Sequence, residues 1–217
     1  MLNKPAQTHD LIRVRDSMAV TADGAVPSWV QPSLACTPWV VVRRGYIQDG
    51  KIPVGVRGSI RSQRFAAWLA VSEIVERRSP EELWNDGVAN HASSSLALSA
   101  LSRVAPVLMR YGCRWGPSGS VGFELATSAP TVTASSDLDI VLRQPCRLKP
   151  DEVSVLQAAL IEAAAPVKID AMLETPLGGV LLAELAAAPS RVLVRTTNGP
   201  CLAVDPWAIN ESMEVLS

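Results

Sequence analysis

The sequence predicts an α+β fold, with a small amino-terminal α/β domain over residues 1–80 and a larger domain with a mixed sheet over residues 81–217. Short apolar segments alternate with a period of two, which is typical of half-buried strands. Other segments repeat apolar residues every three or four positions, which is typical of amphipathic helices. Along residues 135–173 the order is strand, helix, strand, and this order favours two neighbouring strands in one sheet.

Composition argues against several classes of function. The chain has 217 residues, of which 48% are hydrophobic, so it can bury a sizeable core. A net charge of -1 argues against a general nucleic-acid-binding protein, and four dispersed cysteines with two histidines argue against a zinc site. The first residues lack an apolar signal segment, and no later stretch is long enough to span a membrane. We therefore expect a cytoplasmic protein that binds neither nucleic acid nor membrane.

The amino-terminal domain is predicted to contain a hairpin followed by a helix. "PWVVVRRG" at residues 38–45 and "KIPVGVRG" at residues 51–58 read as strands, and Gly, Gln and Asp between them suit a turn. Aromatic and aliphatic residues then recur at helical spacing, which predicts a long helix over residues 59–77. "SPEE" at residues 79–82 is typical of a helix start and marks a boundary between domains.

The second domain is predicted to alternate helices and strands. Proline and glycine positions set most of the element ends. The predicted elements are a helix over residues 91–112 that Pro106 kinks or divides, a strand at 113–116, a turn at 117–120, a helix that opens in 121–127, a strand at 135–143, a helix at 151–165, a strand at 167–173, a helix that begins at Thr175 and Pro176, and a hairpin over 191–204.

Two acidic residues interrupt the strand "SSDLDIVLR". Asp137 and Asp139 lie two residues apart, so both side chains point to one face with Cα atoms about 7 Å apart. In "VKIDAML" the alternation leaves Lys168 and Asp170 on the polar face. Because the two strands are predicted to be neighbours, three carboxylates converge there. Such oxygen ligands suit Mg²⁺, and two such ions can clamp both sides of a phosphoryl displacement.

A simpler interpretation of these acids remains open. Aspartate at a strand edge is commonly a turn former or the N-cap of a helix. The residues after Asp139 continue as an apolar strand, which speaks against a cap, and a second strand supplies Asp170. On these residues alone, a metal site and a structural role are equally compatible with the pattern.

A glycine-serine turn precedes the acidic strand. In "GPSGS", Gly119 permits close approach of backbone N–H groups to a phosphate, and Ser120 offers a hydroxyl beside it. The segment is neither a Walker loop nor a dinucleotide fingerprint, and an ordinary turn is the alternative. The turn is followed by a strand with Asp-x-Asp and then by a strand with a single Asp. This order resembles the nucleotidyltransferase superfamily that includes polymerase β.

Longer motifs make the resemblance more specific. "WGPSGSVGFELAT", "SSDLDIVLR", "KIDAMLETPLGG" and "DPWA" resemble the phosphoribosyl-dephospho-CoA transferases, which act as holo-acyl-carrier-protein synthases of malonate decarboxylase. "HDLIRV", "PWVVVRR" and "IPVGVRGSIRSQRFAAW" resemble the same family, so the similarity covers nearly the whole chain.

The resemblance implies a polymerase β-like second domain and a particular reaction. The 2'-(5''-triphosphoribosyl)-3'-dephospho-CoA group is transferred to a serine of the apo acyl carrier protein, and pyrophosphate is released. Asp137 and Asp139 match the family's Asp-x-Asp positions as metal ligands for Mg²⁺, and Asp170 matches the third catalytic acid of the wider nucleotidyltransferase superfamily. Gly119 and Ser120 are expected to hold the leaving pyrophosphate.

Arginines offer further phosphate ligands. Arg57, Arg61 and Arg64 are spaced to share one face at the start of the helix predicted over residues 59–77, and we expect Arg57 and Arg61 to bind substrate phosphates. A solvated helix face is the alternative. Arg114 is a further phosphate candidate just before the turn.

Two rival functions remain at this point. One is another nucleotidyltransferase that modifies a small molecule with an ordinary nucleotide. The other is a non-catalytic module that keeps the fold and binds a nucleotide.

Glu124 is compatible with a ligand role, but a glutamate in the first turn of a helix is the simpler interpretation.

Overall fold

The computed structural model describes residues 5–87, 95–208 and 214–215. Contacts divide the chain into two compact units, with the division between Ser79 and Pro80. Each unit contains a sheet and at least one helix, so the predicted α+β class is confirmed. Among the described residues, every helix is too short or too polar to cross a membrane.

The amino-terminal unit is an antiparallel sheet with a short helix packed on one face. Its elements are β1 (Leu11–Val14), β2 (Val20–Thr21), α1 (Val30–Cys36), β3 (Trp39–Val42), β4 (Lys51–Arg57), β5 (Arg64–Ala70) and β6 (Ile74–Arg78). The strand order is β2-β5-β4-β3-β1-β6, and every neighbouring pair is antiparallel. Val30 and Leu34 of α1 are buried against apolar residues of the sheet.

The predicted hairpin of the amino-terminal unit is confirmed. β3 and β4 pair with Val40 opposite Val56 and Val42 opposite Val54. All four of these side chains are buried because they lie on the face that packs against α1. The alternating apolar pattern therefore identified both strands correctly.

The helix predicted over residues 59–77 is wrong. This segment forms β5, a single 3-10 turn at Val71–Glu73 and β6. Its aromatic and aliphatic residues satisfy a helical period, but Ala67 and Leu69 also alternate as buried positions of a strand. Pairing with β4 along the whole of β5 decides between the two periods, because it satisfies the backbone N–H and C=O groups of both strands.

The carboxy-terminal unit has a mixed sheet flanked by helices. Its helices are α2 (Pro80–Gly87), α3 (Leu96–Arg110), α4 (Gly119–Thr127), α5 (Pro150–Ala164) and α6 (Leu182–Ala186). Its strands are β7 (Arg114–Pro117), β8 (Leu138–Arg143), β9 (Ile169–Glu174), β10 (Gly179–Leu181), β11 (Val192–Thr196), β12 (Gly199–Ala203) and β13 (Glu214–Val215).

The strands of the carboxy-terminal sheet follow the order β13-β12-β11-β10-β9-β8-β7. β8 and β9 are parallel, and the other neighbours are antiparallel, so the predicted mixed sheet is confirmed. α5 makes the crossover between β8 and β9 and buries Leu156 and Leu160 in the main core. The parallel pair is the part of the sheet that carries the predicted acids.

Two local predictions in the carboxy-terminal unit need correction. Pro106 does not divide α3, which runs through it to Arg110, while the first predicted residues of that helix, 91–94, lie outside the described residues. Thr175 does not cap a helix. Its hydroxyl donates to the carbonyl oxygens of Gly178 and Pro206 in a tight turn, at 2.8 and 2.6 Å. The helix of that segment, α6, begins only after β10.

Candidate active site

Two of the predicted acids lie side by side on the parallel strands. Asp139 in β8 is directly opposite Asp170 in β9, and the strand-helix-strand order predicts these two strands as neighbours. Neighbouring strands are about 4.8 Å apart, so both carboxylates leave the same face of the sheet as close neighbours. Leu138 and Ile140, which alternate with Asp139, are fully buried on the opposite face. The packing of this core therefore fixes the direction in which Asp139 points.

The third acid, Asp137, comes just before β8 and shares a cation with Asp170. The ammonium of Lys168 lies 2.7 Å from Oδ2 of Asp170 and 4.0 Å from Oδ2 of Asp137. The hydrogen bond from Lys168 to Asp170 and the charge of Asp170 raise the pKa of the lysine, and the charges of Asp137 and Asp139 add to the effect. All three predicted acids thus act on one positive charge.

Asp137, Asp139 and Asp170 form a carboxylate cluster, and the glycine-serine turn contacts it at Asp139. Gly119 begins α4 with a φ of 57°, a conformation that glycine adopts without strain. A Cβ atom added to Gly119 would overlap the carboxylate of Asp139, so the missing side chain makes room for this acid. The backbone N–H of Ser118 donates to the backbone oxygen of Asp139 at 2.9 Å. Turn and acidic strand therefore form one site.

Ser120 follows at the start of α4 and is half-buried. Its backbone oxygen accepts a hydrogen bond of 2.8 Å from the hydroxyl of Thr131. This bond ties the start of α4 to the loop that leads into β8. Ser120 is thereby held next to Gly119, where the first N–H groups of α4 can bind an anion.

Glu124 has a role that the sequence did not indicate. It lies in the middle of α4 rather than in a first turn, and only 8% of its surface is exposed. One carboxylate oxygen accepts hydrogen bonds from the backbone N–H groups of Thr131 and Val132, both at 2.7 Å. Glu124 therefore anchors the loop that ends at Asp137. An acid within the apolar segment "VGFELA" was the available signal.

The predicted arginine ligands lie in the amino-terminal unit. Arg57 ends β4 and is directly opposite Arg64 at the start of β5, and Arg61 lies in the turn between them. They do not share a helix face, because the predicted helix is a hairpin. Partial burial and then the positive charge of Arg61 lower the pKa of Arg64. Three cations are therefore concentrated at one end of this hairpin.

Arg114 is engaged in an ion pair. Its guanidinium lies 3.1 Å from a carboxylate oxygen of Glu81, and Arg143 binds the same oxygen at 3.2 Å. Arg114 and Arg143 are opposite each other on β7 and β8, at the ends of these strands that are remote from Gly119 and Asp139. This position favours a structural role for Arg114 over the expected contact with phosphate.

The carboxylate cluster offers oxygen ligands of the kind that Mg²⁺ prefers. Within the described ranges, no group of three or more His, Cys, Asp or Glu side chains is arranged to hold a metal ion. Mg²⁺ usually retains several waters and binds one or two carboxylates together with substrate phosphates, so an all-protein cage is not required. The hard oxygen donors of Asp137 and Asp139 and their joint action on the ammonium of Lys168 fit a cation.

Fold and site together define an α+β protein with a carboxylate cluster beside a glycine turn. The family described as the phosphoribosyl-dephospho-CoA transferase MdcG C-terminal domain matches residues 84–206, and its N-terminal counterpart matches residues 7–80. The chain therefore belongs to the phosphoribosyl-dephospho-CoA transferase family and is a transferase.

Individual relatives agree along nearly the whole chain. A phosphoribosyl-dephospho-CoA transferase from Pseudomonas putida (strain GB-1) is 40% identical over 97% of this chain and 98% of its own length. The enzyme of that name from Pseudomonas fluorescens (strain Pf0-1) is also 40% identical, over 95% of this chain and 97% of its own length. The one from Klebsiella pneumoniae is 36% identical over 92% of this chain and 95% of its own length. A search of solved structures found no significant match.

Proposed function

We propose that this enzyme transfers the 2'-(5''-triphosphoribosyl)-3'-dephospho-CoA group to a serine of the apo acyl carrier protein of malonate decarboxylase. The observation that carries the proposal is the contact between Gly119 and Asp139, beside Asp170, in a chain that matches this transferase family throughout. A glycine turn at a helix start beside acidic groups supports a phosphoryl transfer, because that reaction needs groups that bind and orient phosphate. We place the reaction in the cytoplasm.

The proposed reaction is one displacement at phosphorus. The serine oxygen of the carrier protein forms a bond to the phosphorus nearest the ribose. The bond from that phosphorus to the bridging oxygen of the terminal diphosphate breaks, and pyrophosphate leaves. The serine hydroxyl loses its proton, and the carboxylate of Asp170 is the proposed acceptor because it lies on the same face as Asp139. The products are a phosphodiester on the carrier and pyrophosphate.

The remaining residues bind and orient the triphosphate. Asp137 and Asp139 are the proposed ligands of Mg²⁺. When bound, this ion neutralises charge on the phosphate oxygens of the reacting group. The first N–H groups of α4 and the hydroxyl of Ser120 bind oxygens of the leaving pyrophosphate, and Gly119 lets the backbone approach them closely. Glu124 keeps the loop before Asp137 in position.

Arg57 and Arg61 are proposed to bind phosphate groups of the substrate through the amino-terminal unit. The direct pairing of Arg57 with Arg64 supports this role, because like charges opposite each other on neighbouring strands destabilise a sheet. An anionic ligand would relieve that repulsion. Guanidinium groups are well suited to phosphate because they donate two parallel hydrogen bonds.

The test is a complete transfer reaction. The enzyme is incubated with the apo carrier protein of malonate decarboxylase, the triphosphate precursor and Mg²⁺, and the intact mass of the carrier is measured together with released pyrophosphate. We expect the carrier to gain the prosthetic group and one pyrophosphate to appear per carrier. A parallel reaction with ATP in place of the precursor tests the rival. Modification from ATP but not from the precursor would contradict the proposal in favour of an ordinary nucleotidyltransferase.

A further inference from the structure

Lys168 occupies a special position in the carboxylate cluster. Its ammonium donates a 2.7 Å hydrogen bond to Asp170 and lies 4.0 Å from Asp137, while 66% of its side chain is exposed. The backbone also places it there, because the carbonyl oxygen of Lys168 accepts a 2.8 Å hydrogen bond from the N–H of Leu138. The lysine is therefore built into the junction between β8 and β9, with its positive end among the acids.

The positive charge of Lys168 offsets repulsion among the three acids. Asp139 and Asp170 are directly opposite each other, and like charges so placed repel. The ammonium of Lys168 is a positive charge that acts on all three acids. A divalent cation bound by the same carboxylates would meet repulsion from this ammonium. Both cations favour the same negative region, and therefore they compete.

We propose that Lys168 is the resident counter-ion of the carboxylate cluster and that a divalent cation must displace it. This inference rests on the proposed function, because it takes Asp137 and Asp139 to be the metal ligands. Lysine suits such a role because its charge is a point on a flexible four-carbon chain, which can turn away without moving the backbone. Its exposed side chain has solvent into which it can turn.

The first measurement is the affinity of the free enzyme for Mn²⁺. The electron paramagnetic resonance signal of the unbound ion monitors this titration. Lys168→Met keeps the length of the side chain and removes its charge. We expect this variant to bind Mn²⁺ about two- to fivefold more tightly than the wild type, since an exposed ion pair has only a modest effect. Lys168→Arg keeps the charge and should keep the wild-type affinity.

The second measurement separates a counter-ion from an ordinary surface ion pair. Without divalent cations, Lys168→Met should melt at a lower temperature than the wild type, because the acids then lose the compensating charge of the ammonium. Saturating Mn²⁺ should remove this difference. An ordinary ion pair would give the same difference in melting temperature with and without the ion. Lys51→Met, at an exposed lysine of β4, is the control and should change neither quantity.

Neither measurement involves precursor or carrier protein, so its outcome is independent of the transfer reaction. Equal or weaker Mn²⁺ binding by Lys168→Met would overturn the proposal, and so would a melting difference that persists in saturating Mn²⁺. Absence of Mn²⁺ binding by the wild type would overturn it as well. In each of these cases the transfer assay could still succeed, and the proposed reaction would stand.

Discussion

Among the described residues, two strand pairs, one in each unit, place like charges directly opposite each other at a proposed ligand site. A third such pair, Arg114 opposite Arg143, binds Glu81 with both guanidinium groups. Asp139 faces Asp170 on the parallel strands β8 and β9, and Arg57 faces Arg64 on the antiparallel strands β4 and β5. Such pairs destabilise a sheet by a few tenths of a kcal/mol up to about 1 kcal/mol. A stable fold has no need of either pair, so both are candidates for ligand binding.

The two pairs differ in how their charges are compensated. The acidic pair has Lys168 beside it, whereas the charged neighbour that shifts the pKa of Arg64 is another arginine, Arg61. A cluster of carboxylates that carries its own ammonium is ready to exchange one cation for another. A cluster of guanidinium groups instead attracts an anion from solution. The difference suits metal binding at the first pair and phosphate binding at the second.

The largest expected effect comes from Asp139 of the acidic pair and from Asp137, which precedes β8. Asp139→Asn and Asp137→Asn should each lower the rate of pyrophosphate release by about 10³-fold, because each removes a negative oxygen donor from the proposed metal site. Both variants should melt at or above the wild-type temperature, since like-charge repulsion falls. Asp49→Asn, at an exposed turn of the amino-terminal unit, is the control. Near-normal turnover of either variant in saturating Mg²⁺ would remove that residue from the site.

The opposite member of the acidic pair should have a smaller effect. Asp170→Asn should slow the chemical step by about 10²-fold while the precursor still binds, as expected when a proton acceptor is lost. Single-turnover kinetics measures this step without product release. Transfer at the wild-type rate would leave Lys168 and Asp170 as an exposed ion pair with no part in the reaction.

The contact between the turn and the acidic pair can be tested with two glycines. Gly119 and Gly112 both have positive φ values, 57° and 64°, but a Cβ atom at Gly112 would meet nothing within 4 Å. Each change to alanine should destabilise the protein by about 1 kcal/mol through backbone strain. Only Gly119→Ala should also displace the carboxylate of Asp139 and lower kcat by about tenfold or more. Equal activity of the two variants would mean that the glycine turn is only structural.

The smallest expected effect belongs to Arg57 of the arginine pair and to Arg61 in the turn beside it. Arg57→Gln or Arg61→Gln should weaken binding of the precursor about fivefold at low salt and less at high salt, because salt screens exposed charges. The melting temperature should change little. Arg110→Gln, at an exposed arginine in the last turn of α3, is the control. Precursor affinity is measured by titration calorimetry. Unchanged affinity in both hairpin variants would support a solvated surface and contradict phosphate binding by these arginines.

Local pattern was sufficient for much of the fold and for the neighbouring positions of two acids in the candidate site. Alternation of apolar residues identified β3, β4, β8 and β9, because one face of each strand is buried in a core. The strand-helix-strand order then predicted that Asp139 and Asp170 are neighbours, since a helical crossover joins parallel strands. These features depend on short-range periodicity and on one rule of connection, both of which are visible in the sequence.

Tertiary structure decided what periodicity left ambiguous. Residues 59–77 satisfy a helical period and a strand period, and only the hydrogen bonds of β5 with β4 select the strand, which moves the arginines from a helix face to a hairpin. Glu124 received its role from loop N–H groups seven and eight residues away. Lys168 lies on the same strand face as Asp170 in the sequence, but only the folded chain brings it to Asp137 as well. Propensity does not encode such partners, because side-chain and backbone charges find one another only after the strands have paired and the core has fixed their directions.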